Sequence, residues 1–121
     1  MDRKRLTRAY KDTRRPMGVF RIRNTANKKS LIGSSIDLPA VLNRQRFQLE
    51  AGVHPNLLLQ QDWRTLGPAA FEFEILDTLE PPDKGDYDPT EDLRALREMW
   101  LERLEALGES EYAASSHGQA K

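Results

Sequence analysis

Met17-Gly18-Val19-Phe20-Arg21-Ile22-Arg23-Asn24, followed after a short polar stretch by Ser30-Leu31-Ile32-Gly33-Ser34, decides the fold. The run 18–23 is extended in character, with Val19 partly alternating against Arg21 and Arg23. Asn24-Thr25-Ala26-Asn27-Lys28-Lys29 is polar and turn-rich, so residues 30–34 read as the return strand of a β-hairpin.

Working outward, Asp37 is a good N-cap, and Pro39 is tolerated in a first helical turn. A helix is expected from Leu38 to Ala51, stopped by Gly52, with Leu38, Val41, Leu42 and Leu49 as its apolar face. Asn56 caps a second helix, Leu57 to Leu66, which buries Trp63 and ends at Gly67-Pro68. In residues 70–76, Phe71, Phe73 and Ile75 alternate with Glu72 and Glu74, which marks a strand whose glutamates face solvent. Residues 79–88 form a loop. Asp88-Pro89-Thr90-Glu91 then opens a last helix running to about Leu107, with Leu93, Leu96, Trp100, Leu104 and Leu107 in its apolar stripe.

The expected fold class is therefore α+β, a small three-stranded antiparallel sheet flanked by helices. Residues 1–16 are expected to be a basic N-terminal helical arm, with Leu6 and Tyr10 on one face and Pro16 as its stop. Residues 17–107 make the domain and 108–121 a flexible tail.

Composition bounds the function. At 121 residues the chain makes one small domain, and with no cysteine it has neither disulfides nor a thiol nucleophile. No apolar run approaches the length of a membrane helix, and the N-terminus lacks a signal peptide's apolar stretch. A cytoplasmic location is the expectation. The formal net charge of zero hides an asymmetry: residues 1–50 carry 13 Lys/Arg against 4 Asp/Glu, whereas residues 51–121 carry 6 against 15. A basic half attracts phosphate by counterion release. The plainer reading is that the two halves neutralise each other within one fold.

The order of elements and motifs resembles the GIY-YIG nuclease family over about residues 17–107. Gly18-Val19-Phe20 stands where that family has Gly-Ile-Tyr, and Leu31-Ile32-Gly33 where it has Tyr-Ile-Gly, with ten residues between. Gly33-Ser34-Ser35, Leu59-Gln60-Gln61-Asp62-Trp63 and Phe71-Glu72-Phe73-Glu74-Ile75-Leu76 extend the similarity toward a bacterial subgroup. The resemblance implies metal-dependent phosphodiester hydrolysis: two tyrosines, an arginine on the first helix, a histidine one turn later, and a metal-binding glutamate on the last helix. Carried over, the tyrosines fall on Phe20 and Leu31, the arginine on Val41, the histidine on Gln45 and the glutamate on Arg97. Of six such positions, only His54 keeps a residue found in active members.

The expected function is thus a catalytically degenerate GIY-YIG domain that retains nucleic-acid binding, DNA before RNA. Arg21, Arg23, Lys28, Lys29, Arg44 and Arg46 are the candidate phosphate contacts. The competing expectations are an active endonuclease and a protein-interaction module. The endonuclease would use Mg²⁺ or Mn²⁺, with Arg44, His54 and Glu98 as substitutes. The interaction module would associate through its opposite charges, as a homodimer for example. Each singled-out residue also has a bland reading. Phe20 and Leu31 would fill an emptied cleft as core, His54 would be a surface cap, and Arg97 would pair with an acid such as Asp92. Trp63 and Trp100 would be core anchors.

Overall fold

The computed structural model describes residues 15–82 and 86–112. The hairpin is strand β1 (Met17–Asn24) and strand β2 (Lys29–Ser35), antiparallel, with Phe20 opposite Gly33 and Ile22 opposite Leu31. Helix α1 (Leu38–Ala51) starts on Asp37, whose carboxylate accepts the Ala40 N–H at 3.1 Å, and stops on Gly52 in a left-handed conformation. Helix α2 (Leu57–Leu66) starts on Asn56, which accepts the Leu59 N–H. A 3₁₀ turn, Pro68–Ala70, leads into strand β3 (Phe71–Leu79). Helix α3 (Thr90–Ala106) follows, with Asp88 accepting the Thr90 N–H just ahead of it.

β1 is central. It pairs antiparallel with β2 on one side and with β3 on the other, with an irregularity between Val19 and Phe20. A Cβ on Gly18 would run into the Asp77 carbonyl, so this first glycine lets β3 pass close to the bulge. The second glycine has a different reason. A Cβ on Gly33 would meet the Phe20 ring at 2.6 Å, because that ring lies across β2 at the glycine.

The sheet is covered on both faces. On one, Phe20 and Ile22 pack with Leu38, Val41 and Leu49 of α1, Leu59 and Trp63 of α2, and Phe71. Trp63 stacks tilted on Phe71, centroids 5.2 Å apart. On the other face, Val19 and Ile32 pack with Leu96, Trp100, Leu101 and Leu104 of α3. Both tryptophans are thus core anchors. Leu107, expected in the α3 stripe, lies outside it and is 73% exposed.

The three-stranded, all-antiparallel expectation needs correction. The sheet has four strands in the order β3-β1-β2-β4, and β4 (Ser110–Glu111) runs parallel to β2 at Lys29–Ser30. A flexible tail from residue 108 is therefore also wrong as far as Tyr112. The Tyr112 N–H donates to the Ser30 carbonyl at 2.8 Å, and its ring is buried at 4% exposure in the α1/α2 core. Its hydroxyl donates to Asp62 of α2 at 2.7 Å and accepts from the Asn24 amide at 3.0 Å. Burial, with the Asp62 carboxylate nearby, pushes its pKa up to about 12. The N-terminal arm over residues 1–14 and the rest of the tail, 113–121, lie outside the described residues.

Tyr112→Ala should remove a core ring and leave Asn24 and Asp62 short of a partner, lowering unfolding free energy by about 3–5 kcal/mol in urea denaturation. Leu107→Ala should change it by less than about 0.5 kcal/mol. Equal small effects would mean that the segment after α3 is not part of the fold.

Candidate functional site

Of the positions implied by the resemblance, Phe20, Leu31 and Val41 come together in space as core, whereas Arg97 lies on the helix that covers the other face of the sheet. Phe20 (3% exposed) and Val41 (5%) belong to one buried cluster, and Leu31 packs against it. Phe20 has no hydroxyl to handle a proton, Leu31 has neither ring nor hydroxyl, and Val41 offers phosphate no charge. All three are apolar and pack together out of water.

Gln45 and His54 meet at the edge of this cluster. The Asn56 N–H donates to His54 Nδ1 at 2.9 Å. A ring nitrogen that accepts an N–H is unprotonated, so in the neutral ring Nε2 carries the proton and donates to Gln45 Oε1. Gln60 completes the arrangement: its Oε1 accepts the His54 N–H at 2.9 Å and its Nε2 donates to the Leu49 carbonyl. His54 is therefore no surface cap, since it is 4% exposed. Each ring nitrogen already has a partner, so neither is free to take a proton from water. Burial holds its pKa below the usual 6.5, against an opposing contribution from the Asn56 hydrogen bond.

Arg97, the residue onto which the resemblance carries a metal-binding glutamate, is anchored on the sheet. Its Nε donates to the Ile32 carbonyl at 2.9 Å, on the stretch of β2 that extends past β4, and its Nη2 pairs with Glu111 at 2.8 Å. The expected partner Asp92 instead accepts from the Tyr87 hydroxyl. Glu98, the substitute acid, is exposed on α3, because adjacent helical positions point about 100° apart. Among the described residues no three His, Asp or Glu side chains gather as metal ligands. A divalent metal does not fit this donor set: the side chain anchored at the β2 edge is a cation, and the neighbouring acid faces away.

The six candidate phosphate contacts separate into two groups. Arg21 and Arg23 project onto the α3 face of the sheet and are held there. Arg21 Nε donates to Glu74 at 2.8 Å and Nη1 to Glu109 at 3.1 Å; Arg23 lies 3.5 Å from Glu109 and 3.8 Å from Glu72. Glu72 and Glu74 are thus cross-strand partners of these arginines, not idle solvated acids. Lys28 and Lys29 are exposed at the hairpin turn, Lys28 with a left-handed φ of 63°. Arg44 and Arg46 are exposed on α1, over the other face of the sheet. Arg46 lies 4.2 Å from the centre of the Phe73 ring. Between the two arginines and Asn43, Phe47 stands 67% exposed in a shallow groove that Ala40 and Glu50 also line. Sequence reasoning missed Phe47. Its signal was an aromatic residue off the apolar stripe of an amphipathic helix.

Because the unfolded chain binds a proton at His54 near pH 6.5 and the folded chain only at lower pH, stability from this site is full above about 6.5 and declines as pH falls below it. The melting temperature should fall between about pH 7.5 and 5.5, and His54→Asn, which keeps an acceptor near the Asn56 N–H but does not titrate, should flatten that dependence. Identical pH slopes for the two proteins would contradict a depressed His54.

No protein-family model matches the chain, and no curated protein matches it in sequence. Solved structures do. The catalytic domain of the homing endonuclease I-TevI superposes with a TM-score of 0.61 at 26% identity, over 80% of this chain and 98% of that one. A point mutant of the catalytic domain of intron endonuclease I-TevI gives 0.62 at 26% identity, over 81% and 92%. The hairpin glycines, the helix order and this likeness agree: the chain has a GIY-YIG-like nuclease fold.

Proposed function

We propose that this chain is a nucleic-acid-binding domain built on a nuclease scaffold, one that does not cleave by the metal-and-tyrosine route of that scaffold. The observation that carries the reading is the packing of Phe20, Leu31 and Val41 into a single apolar core where that route needs hydroxyls and a cation. Losing a general base costs about 10²–10⁴ in rate, and losing a charge-stabilising donor about 10²–10³. The substitutes do not offset these losses. Glu98 and Arg44 are exposed and His54 has both ring nitrogens engaged.

Binding falls to the cations that remain free of the core. Arg44 and Arg46 on α1, with Lys28 and Lys29 at the turn, are exposed, whereas Arg21 and Arg23 are tied to carboxylates. The acids of the α3 face repel phosphate, which favours docking from the α1 side. Similarity to endonuclease catalytic domains favours DNA as the bound polymer. Among the described residues no helix is long and apolar enough to cross a membrane.

Labelled duplex, single-stranded and branched DNA should remain intact with the protein in magnesium, manganese or chelator. The double variant Arg44→Ala/Arg46→Ala should weaken binding and lower the slope of log affinity against log salt by about 2, close to one unit for each phosphate no longer neutralised. Arg21→Ala should destabilise the fold and leave that slope unchanged. Metal-dependent products would overturn the non-cleaving reading. An unchanged slope in the α1 double variant would overturn the placement of the interface.

A further inference from the structure

Of the chain's phenylalanines and tryptophans, all of them described, Phe47 alone is exposed; the others are buried or half-buried. It lies off the stripe of Leu38, Val41 and Leu49 by which α1 packs on the sheet, so the core does not require a ring there. A lone exposed apolar side chain is ordinary on a protein surface. The neighbours of this one make it informative. Arg44 lies three positions before it, on the same helix face, and Arg46 immediately before it. Neither arginine is ion-paired among the described residues. Arg46 is held instead by an uncharged group. Its guanidinium lies 4.2 Å from the centre of the Phe73 ring, which leaves the N–H edge for a phosphate.

A flat ring beside two unneutralised guanidiniums matches the two parts of a nucleotide, an apolar base face and an anionic phosphate. Ala40 and Asn43 line the groove ahead of the ring, where they leave room for a base and offer one amide to its edge. Glu50, three positions after Phe47, lines the other end. Its carboxylate repels phosphate, so a bound backbone is confined to the arginine side. That asymmetry selects the form of the polymer. A helix laid in a duplex groove meets phosphates on both walls, and Glu50 would face one of them. The bases of a duplex also have both faces stacked already. A single strand brings one backbone and base faces that a ring can cover. A second copy of this chain docked about a two-fold axis through Phe47 would instead crowd Arg44 and Arg46 of both copies together.

We propose that Phe47 is a stacking platform for an unpaired nucleobase, with the adjoining phosphates on Arg44 and Arg46. This rests on the nucleic-acid-binding reading above and narrows its ligand to a single strand or an unpaired stretch. DNA and RNA present the same base face, and the test separates them.

The test is fluorescence anisotropy of the full chain with labelled oligonucleotides of equal length: single-stranded DNA, single-stranded RNA, duplex DNA, and a DNA strand of abasic residues. The unaltered chain should bind the base-bearing single strands more tightly than the duplex. Phe47→Ala should weaken single-strand binding about tenfold, the loss of one stacked base, and leave abasic affinity, the salt slope and the melting temperature unchanged. Phe47→Leu should lose as much. Phe47→Trp should restore binding, and its added indole emission should be quenched by base-bearing strands and not by the abasic one. Tighter binding of the RNA strand than of the DNA strand upholds the platform and makes RNA the ligand; the reverse order upholds it for DNA. Full single-strand affinity in Phe47→Ala, or an equal loss with the abasic strand, would overturn the platform; if Arg44→Ala/Arg46→Ala still lowered the salt slope, nucleic-acid binding at α1 would stand without it. No saturable binding of any oligonucleotide would overturn both. Self-association abolished by Phe47→Ala would assign the ring to a second copy and also overturn the platform.

Discussion

The fold is organised by two guanidinium groups in its central strand. β1 is covered on both faces, so Arg21 and Arg23 cannot stand in open water as they would on an edge strand. Largely buried charges need partners, or they impose a desolvation cost of several kcal/mol. Those partners come from β3, as Glu72 and Glu74 directly across the ladder, and from the segment after α3, as Glu109. Glu109 sits one residue before β4. The demand for counter-charge therefore coincides with the point where the chain returns to the sheet and closes the outer edge of β2. The opposite charges of the two halves are in this part internal ion pairs, and they do not measure charge available to a ligand.

Much of the architecture was readable because its signals are local. Asp37, Gly52 and Asn56 mark helix ends through short-range hydrogen bonds and a left-handed stop, and they lie where expected. The glycines of the hairpin were recognisable as a pair, and the structure adds a reason for each: a close backbone at Gly18 and an aromatic ring at Gly33. What escaped is non-local. Strand alternation groups Arg21 with Arg23 but does not reveal that a helix covers their face. A two-residue parallel strand has no periodicity to detect, so Ser110–Glu111 read as tail. His54 precedes a proline near a helix start, and its burial depends on Gln45 and Gln60, which belong to different helices.

The same contrast explains the cleft. Phe20, Leu31 and Val41 are groups that pack, whereas hydroxyls and charges in their places would have to stay hydrated or engaged. Natural active sites tend to hold strained or poorly satisfied residues at a cost to stability. Here those positions contribute to the principal core. Arg97 extends the pattern, because its guanidinium is spent on a sheet-edge carbonyl and on Glu111. A reactive group introduced at one of these positions would stand among side chains that exclude water.

Closure of the sheet by β4 has a consequence for the order of synthesis. Asn24 and Tyr112 are hydrogen-bonded partners separated by 88 positions. Contacts so distant in sequence form late and slow folding. As the chain emerges from the ribosome, the β1–β2 hairpin and both helices of the larger core are available long before Tyr112. Until it arrives, the outer rim of β2 is an open template for another strand, and Arg21 and Arg23 lack their shared acid. The nascent domain thus passes through a stage in which its hairpin is complete but unsealed. A chaperone or a neighbouring chain would meet it in that interval.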